Sequence, residues 1–264
     1  MAHVGVESAL GFGDALFNIP LIRAISERYQ CKVGVAVMPH CADAFENIPW
    51  IDKILHIPAI NHGTRVLRAS GYDTIFQLTQ NTKFLEFKDR DPNHSLIDTP
   101  LLTGRQLGLG DFDQKPIFLP TPAEMSVGAR YDDGLPNIVV ESMFTSGQSW
   151  ATSEALELII NKYSKTHRIC WCSNSGAPQT KYMDNMLRWT RREIITSFQH
   201  CQTMFSVGSG FFCAALALPK HLQPRRIVCL WIDGLYRYEK RITELRLHDN
   251  IVWVHSTNEL LAAL

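Results

Sequence analysis

Hydrophobic positions along the chain form short apolar runs that alternate with stretches of helical periodicity. In the first half, the segments HVGVESAL, CKVGVAVMP and GYDTIFQLT predict strands of the kind that parallel sheets bury. Between the first two, apolar side chains recur every three or four residues and predict a helix: Leu16, Ile19, Ile22, Ile25 and Tyr29. A second helix is expected over CADAFENIPWIDKIL up to Pro49, followed by a strand around 53–57. Strands alternating with helices predict a doubly wound parallel sheet.

The same alternation restarts after a Pro- and Gly-containing stretch at 110–136, which we interpret as a linker. Further strands are predicted at NIVVESM, RICWC, TMFSV, RRIVCLW and NIVWVH, and helices at SEALELIINKYS, TRREIITSFQHC, FFCAALAL and TNELLAAL. The sequence therefore predicts two Rossmann-like α/β domains, 1–125 and 126–264, whose parallel sheets face a central cleft. The last helix is able to pack back on the first domain. Ligands of such sheets bind beyond the carboxyl ends of the strands.

Composition and charge narrow the class of protein. The chain has 264 residues, of which 45% are hydrophobic, so disorder and a stapled mini-protein are excluded. Lys+Arg and Asp+Glu both number 26, which removes the charge signature of a nucleic-acid coat or a membrane-surface binder, although a local basic groove stays open. The N-terminus has no signal-peptide pattern, and no apolar run reaches about 18 residues. We therefore expect a cytoplasmic protein with no membrane span.

The cysteines and acidic clusters do not indicate a metal site. Seven cysteines, an odd number, lie mostly in apolar runs, which favours reduced and buried thiols. Cys170 and Cys172 are expected in the core. The Asp-x-Asp in KDRD, Asp89 and Asp91, lies among charges of both signs, which favours a solvated face over a metal-bound diphosphate. We therefore expect no bound metal. We also expect no NAD, because no Gly-x-Gly-x-x-Gly follows a strand.

The loop GFGD follows the first strand and opens the first helix. Gly13 lets the backbone approach a ligand closely, and Asp14 lies at a helix N-terminus. Asp14 is either an acidic group that favours the first helical turn or a functional carboxylate. The loop alone leaves both readings open.

Three loops of the second half combine glycines with hydroxyl or amide groups. FTSGQSW is suited to phosphate oxygens, VGSGFF forms a strand–glycine–helix corner suited to an anion, and CSNSGAP is placed to line the base or ribose end of a nucleotide. Ordinary polar turns, or glycines needed only for packing, are the alternatives. The candidate donor-binding residues are Thr145, Ser146, Gln148, Ser149, Ser173, Asn174, Ser209, Gly210 and Phe211, together with Gly13.

Five segments, taken in order, resemble the heptosyltransferase-like glycosyltransferases of GT-B fold (the ADP-heptose:lipopolysaccharide heptosyltransferase family). They are GFGDALFNIPLIRAISERY, CKVGVAVMPHCADAFENIPWIDKIL, GYDTIFQLTQNTKF, FTSGQSWATSEALELI and MFSVGSGFFCAALALPK. The resemblance implies an inverting, metal-independent transfer of a sugar from a nucleotide-diphosphate sugar to an acceptor hydroxyl, with Asp14 as catalytic base and no further cofactor. The implied acceptor is a glycan or lipopolysaccharide precursor. A hydroxymethylated base in phage DNA is the other option, and it requires the basic segments 181–192 and 225–246 to form one face.

The chain departs from the family pattern at three positions. Gln148 stands where the family has a Lys, Gly208 where it has an Asp, and Cys213 where it has a His. These family groups bind donor phosphate and sugar, so the departures imply an altered donor or a lost activity. The alternative reading is therefore a catalytically degenerate nucleotide-sugar-binding module that acts as a partner subunit. The sequence leaves the oligomeric state open.

Overall fold

The computed structural model describes residues 3–8, 11–59, 61–78, 98–128, 137–141, 153–172, 183–185, 189–231 and 236–264. The chain divides into two compact units. The first comprises Met1–Leu119 and Lys240–Leu245, and the second comprises Pro120–Glu239 and Arg246–Leu264. Each unit contains one parallel sheet with helices, so the expected α/β fold class is confirmed.

The first unit is built on four parallel strands in the order β3-β2-β1-β4. They are β1 (Val4–Glu7), β2 (Val33–Val37), β3 (Ile51–His56) and β4 (Thr74–Gln77). The helices are α1 (Phe12–Tyr29), α2 (Gly63–Ala69) and α3 (Thr99–Gln106). Every residue of β1 and β2 is buried, as their uninterrupted apolar runs predict.

Three elements of the first unit differ from the sequence prediction. The helix expected from 41 to Pro49 is instead a 3₁₀ helix, Pro39–Phe45. Asn47 then adopts a left-handed conformation with φ of 63°, and Pro49 disfavours a helical residue before it, so the segment ends early. The helices α2 and α3 were not predicted.

The second unit is built on six parallel strands in the order β10-β9-β8-β5-β6-β7. They are β5 (Asn137–Val140), β6 (Arg168–Trp171), β7 (Met183–Asn185), β8 (Cys201–Ser206), β9 (Arg226–Leu230) and β10 (Ile251–Val254). The helices are α4 (Pro122–Gly128), α5 (Ser153–Tyr163), α6 (Arg191–Ser197), α7 (Gly210–Ala217), α8 (Tyr236–Glu244) and α9 (Thr257–Ala263). Short strand β7 was not predicted.

The chain path between the units is more complex than one linker. The helix α4 lies inside the stretch interpreted as a linker, and α8 passes from the second unit to the first at Lys240. The sequence allowed the last helix to pack on the first domain. In the structure, α9 packs against β10 and α5 of its own unit, with Leu260 in the core beside Val140 and Phe205.

The cysteines are all free, and all but Cys31 are buried. The prediction that Cys170 and Cys172 belong to the core is confirmed. Among the helices that the structure describes, none has the length and apolar character needed to cross a bilayer. The Asp89-x-Asp91 segment lies outside the described residues, and within them no three His, Cys, Asp or Glu side chains form a metal-binding group.

Candidate active site

The first strand–helix connection places Gly13 and Asp14 inside a helix. The sequence predicted a GFGD turn before the helix, but α1 already begins at Phe12. Asp14 Oδ2 accepts a hydrogen bond from the Gly11 N–H at 3.1 Å, which satisfies a backbone donor that the helix itself leaves without a partner. The hydrogen bond expected of an acidic residue that stabilises the first helical turn is therefore present, and it occupies one oxygen of the Asp14 carboxylate.

The surroundings of Asp14 alter its acidity. The residue is exposed to solvent, yet nearby protein atoms displace part of the hydration of the carboxyl. This desolvation raises the pKa of Asp14 above its ordinary value, while the Gly11 N–H opposes the shift by stabilising the ionised form. An accessible carboxylate with a raised pKa is a stronger base than an ordinary aspartate. The geometry is therefore also compatible with Asp14 as a functional carboxylate.

A buried glutamate fixes the carboxyl edge of the first sheet. Glu7, the last residue of β1, is fully buried. Its Oε1 accepts from the Asn61 N–H at 2.8 Å, and its Oε2 accepts from the Thr64 N–H at 3.1 Å. The amide of Gln77 reaches Oε2 at 3.5 Å. Glu7 therefore ties the ends of β1 and β4 to the segment between β3 and α2, and it is too deeply buried to contact a ligand.

The second strand–helix connection, Val207–Phe211, follows β8 and begins α7. Gly208 has a φ of 72°, a left-handed conformation that turns the chain sharply. Ser209 is the N-cap of α7, since its Oγ accepts from the Phe211 N–H at 3.2 Å. Ser209 and Gly210 are half-buried, whereas the Phe211 side chain is buried and packs near Phe198. Phe211 therefore offers a ligand no accessible side chain.

Two backbone donors of this corner are unused by the protein. Across the described residues, the N–H groups of Ser209 and Gly210 have no protein acceptor. They lie at the positive end of an eight-residue helix and are partly open to solvent. This arrangement can receive an anionic oxygen through main-chain hydrogen bonds.

A second buried glutamate was missed by the sequence analysis. Glu141 directly follows β5 and is 1% exposed. Its carboxyl accepts from the Ser206 hydroxyl at 2.6 Å and from the Ser209 hydroxyl. Burial raises the pKa of Glu141 to about 8, and hydrogen bonds from Ser206 and from the Val207 and Phe211 N–H groups oppose that shift. The corner thus contains a carboxyl from the residue after β5, close to Gly208, where the sequence resemblance implies an Asp.

A sequence signal for both glutamates exists. Each stands at the end of an apolar run in a similar string, VGVES for Glu7 and IVVES for Glu141. A charged residue directly after the first strand of a parallel sheet lies at the edge where ligands bind. The string alone does not tell a carboxyl that reaches solvent from one that turns inward to cap neighbouring segments.

We expect Gly208→Ala to destabilise the second unit. A Cβ on Gly208 would lie 1.8 Å from Cζ3 of the Trp231 ring, and the positive φ strains any L side chain. We expect a loss of about 1–3 kcal/mol in the free energy of unfolding, as for other overpacked positions. Gly71→Ala is the matched control, because Gly71 also has a positive φ but a Cβ there meets nothing within 4 Å. Urea unfolding of both variants measures the difference, and equal losses would contradict the packing explanation.

The other predicted donor-binding residues cannot be placed beside this corner. Thr145, Ser146, Gln148, Ser149, Ser173 and Asn174 lie outside the described residues. The structure brings together Ser209, Gly210 and Phe211 on one corner of the second unit, and Gly13 with Asp14 on one corner of the first. The roles that the sequence analysis assigned to all these residues stay predictions.

A separate cavity of about 300 Å³ lies at the opposite, amino edge of the second sheet. It is formed by residues before or near the start of β6, β8, β9 and β10, together with the end of α5. The lining residues are Tyr163, His167, Gln202, Thr203, Arg225, Arg226 and Asn250. Because ligands of open parallel sheets bind beyond the carboxyl ends, we do not assign the donor to this cavity.

Several solved structures share this architecture at low sequence identity. A glycosyltransferase family 9 protein from Veillonella parvula gives a TM-score of 0.72 at 10% identity, covering 99% of this chain and 90% of that chain. E. coli ADP-heptose LPS heptosyltransferase II gives 0.64 at 13% identity, covering 97% and 92% respectively. The E. coli heptosyltransferase WaaC, in a structure with ADP, gives 0.63 at 12% identity, covering 99% and 93%. This chain has the GT-B glycosyltransferase fold.

The likeness confirms the fold that the sequence resemblance implied. No family model matches the sequence, and no curated protein matches it. At 10–13% identity the structural match therefore carries the comparison. It extends over nearly the whole of both chains, so both units of the present chain have counterparts in these glycosyltransferases.

Proposed function

We propose that this protein is a glycosyltransferase that uses a nucleotide-diphosphate sugar. The observation that carries the proposal is the corner between β8 and α7, where two N–H groups without protein acceptors lie at the N-terminus of a helix. Such a corner suits the diphosphate of a nucleotide. The GT-B fold supports the assignment, and one of the structures that shares it, an E. coli heptosyltransferase, is in complex with ADP.

The proposed reaction is an inverting displacement. The Asp14 carboxylate accepts the proton of an acceptor hydroxyl, and the hydroxyl oxygen attacks the anomeric carbon of the donor sugar. The bond from that carbon to the diphosphate breaks, and the nucleoside diphosphate leaves with the electron pair. The N–H groups of Ser209 and Gly210 stabilise the charge that develops on it. Gly13 is proposed to approach the donor through its backbone.

We propose that the reaction is independent of a divalent metal, since helix N–H groups and hydroxyls are assigned to the leaving group. The alternative assignment, Asp89 and Asp91 as metal ligands, is tested by measuring turnover with chelator. Unchanged turnover supports metal independence. Turnover that disappears with chelator and returns with Mg²⁺ or Mn²⁺ would overturn it.

For the acceptor we propose a hydroxyl of a glycan or lipopolysaccharide precursor. The DNA option needs free basic groups in the segments 181–192 and 225–246. Two arginines of those segments are already paired within their own units, Arg192 with Glu124 and Arg241 with Asp98. Among the described residues of those segments, Arg225 and Arg246 are exposed basic groups. Transfer to hydroxymethylated DNA, but not to glycans, would reverse this choice.

A degenerate binding module is the second candidate function. The observation that favours it is the environment of Cys213, which takes the place of the family His and is buried within α7. Its thiol is not accessible to a donor sugar. Gly208, at the family Asp position, has no side chain to offer. Binding of ADP without release of sugar from any donor would select this function.

The direct test is a thermal-shift screen with ADP and UDP, followed by hydrolysis assays with the corresponding nucleotide sugars. A ligand at 100 times its dissociation constant stabilises a fold by about 2.7 kcal/mol. We expect stabilisation by a nucleoside diphosphate and slow release of sugar to water. No stabilisation by any nucleoside diphosphate would overturn the proposed function.

We expect Ser209→Asp to weaken ADP binding at least tenfold. Aspartate keeps an N-cap acceptor for α7 but adds a negative charge at the proposed phosphate position, beside the Glu141 carboxyl that the Ser209 hydroxyl contacts. Like charges at such a distance repel by about 1–4 kcal/mol. Ser256→Asp is the matched control, because Ser256 is the N-cap of α9 in the same unit. Isothermal titration with ADP compares the two variants. Equal affinity for both would place the phosphate elsewhere.

A further inference from the structure

The carboxyl of Glu141 is the most deeply buried ionisable group of the corner between β8 and α7. One oxygen interacts with the Ser206 hydroxyl and the other with the Ser209 hydroxyl. The backbone N–H groups of Val207 and Phe211 also point to this carboxyl. These donors all belong to the segment that would bind phosphate, so the state of Glu141 is coupled to that segment.

Ser209 connects the buried carboxyl with solvent. The residue is half-buried, whereas Glu141 is 1% exposed. A serine hydroxyl has one proton to donate and two lone pairs to accept with. One lone pair accepts the Phe211 N–H at 3.2 Å. The single proton of Ser209 therefore points either inward to Glu141 or outward to a ligand, and it cannot serve both.

We propose that Glu141 is a positioning residue that takes up a proton when phosphate binds at the α7 N-terminus, which turns the Ser209 hydroxyl toward the phosphate. The inference rests on the proposed function, which assigns the phosphate to this corner. With Glu141 ionised, the Ser209 proton is held by the carboxylate. With Glu141 protonated, its own O–H donates to Ser209 Oγ, and the Ser209 O–H is released to donate to a phosphate oxygen.

Charge repulsion, in addition to hydrogen bonding, favours the uptake of a proton by Glu141 when phosphate binds. The proton comes from solvent and moves onto a carboxyl oxygen of Glu141, so the corner holds one anion instead of two when phosphate is bound. Like charges a few ångströms apart in a poorly solvated site repel strongly. Binding of a phosphate therefore favours the neutral acid, and the neutral acid favours binding of a phosphate, because linkage between two equilibria is reciprocal.

The titratable groups near Glu141 keep the same charge over the pH range in which its carboxyl titrates. Among the described residues, the titratable side chains that interact with it are the thiols of Cys172, after β6, and Cys229, in β9. Burial raises the pKa of both thiols well above their ordinary value, so they stay neutral. The carboxyl has a pKa of about 8, so it is about half ionised in mildly alkaline buffer, where a change in proton occupancy is readily measured.

The experiment is isothermal titration of the whole protein with ADP at pH 8, in two buffers of different ionisation enthalpy. The difference in heat gives the number of protons taken up on binding. We expect about half a proton for the wild type and almost none for Glu141→Gln, which mimics the neutral acid. Glu259→Gln is the matched control, because Glu259 also accepts a backbone N–H near a helix N-terminus of the same unit. It should behave as the wild type.

A second measurement needs no variant. If the ionised form does not bind ADP, affinity of the wild type falls about thirtyfold between pH 7 and pH 9.5, as expected for one proton with a pKa of about 8. Equal proton uptake by wild type and Glu141→Gln, or an affinity that does not change with pH, would overturn the role of Glu141 while ADP binding still stands. Absence of ADP binding at every pH would overturn the proposed function and this inference together.

Discussion

Asp14→Asn is expected to abolish sugar transfer while leaving folding and ADP binding unchanged. Asparagine keeps the shape of aspartate, and its amide oxygen can still accept the Gly11 N–H that Asp14 Oδ2 accepts at 3.1 Å. The amide cannot accept the proton of an acceptor hydroxyl. A positioned base contributes about 10²–10⁴-fold to rate, so turnover should fall by that factor. Melting temperature, ADP affinity and turnover are measured side by side.

The control for this substitution is Asp73→Asn. Asp73 lies in the same unit and also accepts a backbone N–H, that of His3 at 3.2 Å, but it is exposed and not assigned to chemistry. We expect its turnover to match the wild type. Full turnover of Asp14→Asn would show that Asp14 is only a helix cap and that the base lies elsewhere.

The pH dependence of the reaction gives an independent check on Asp14. A general base works in its ionised form, so kcat/KM should rise with pH through the pKa of Asp14. Desolvation raises that pKa above the ordinary value, so the rise should occur at a higher pH than for an ordinary aspartate. The residual activity of Asp14→Asn should lack this limb of the profile.

The buried strands could be predicted from the sequence because each is a run of consecutive apolar residues. Runs such as 33–37 and 227–230 are buried at every position, and a run of that length fits a strand with helices on both faces. The corner at Ser209 and Gly210 was predictable for a similar reason, since a glycine directly after an apolar strand and before an Ala-rich run is typical of a tight strand–helix connection.

The two buried glutamates were not predictable because their partners come from distant parts of the chain. Glu7 is satisfied by groups at Asn61, Thr64 and Gln77, which are 54 or more residues away. Glu141 is satisfied by groups at Ser206 and Ser209, which are 65 and 68 residues away. A buried carboxyl is stable only with such partners, and the local sequence does not show them.

The helix α4 was missed for the same reason. It lies in a stretch whose prolines indicate a linker, yet Thr121 and Glu124 form a capping box at its start, with hydrogen bonds of 3.2 and 2.7 Å. Glu124 also forms an ion pair with Arg192 of α6, 68 residues away, with Nε–Oε1 at 2.5 Å. This long-range pair holds α4 against α6. The helix propensity of residues 122–128 does not indicate it.

Arg192→Met should therefore destabilise the second unit by about 3 kcal/mol or more, since removal of one partner leaves a mostly buried carboxylate without its cation. The side chains of Arg192 and Glu124 are 4% and 17% exposed. Arg105→Met is the matched control. Its pair with Asp111 is 56% and 79% exposed, and exposed pairs contribute about 1 kcal/mol or less. Urea unfolding at pH 7 compares the two variants, and similar losses would contradict a special role for the buried pair.

The same comparison at acidic pH tests the electrostatic origin of the effect. Desolvation alone would raise the pKa of Glu124, but hydrogen bonds from Arg192 and Thr121 outweigh it, so the pKa is lowered in the folded protein. A carboxyl with a lowered pKa stabilises the fold above its unfolded pKa of about 4.3, and that contribution is lost as the pH falls through the folded value. The stability difference between wild type and Arg192→Met should thus be largest near neutral pH and shrink below about pH 4, where protonation breaks the pair in the wild type as well. A difference that stayed constant between pH 7 and pH 3 would show that the arginine acts through packing of its side chain and not through its charge.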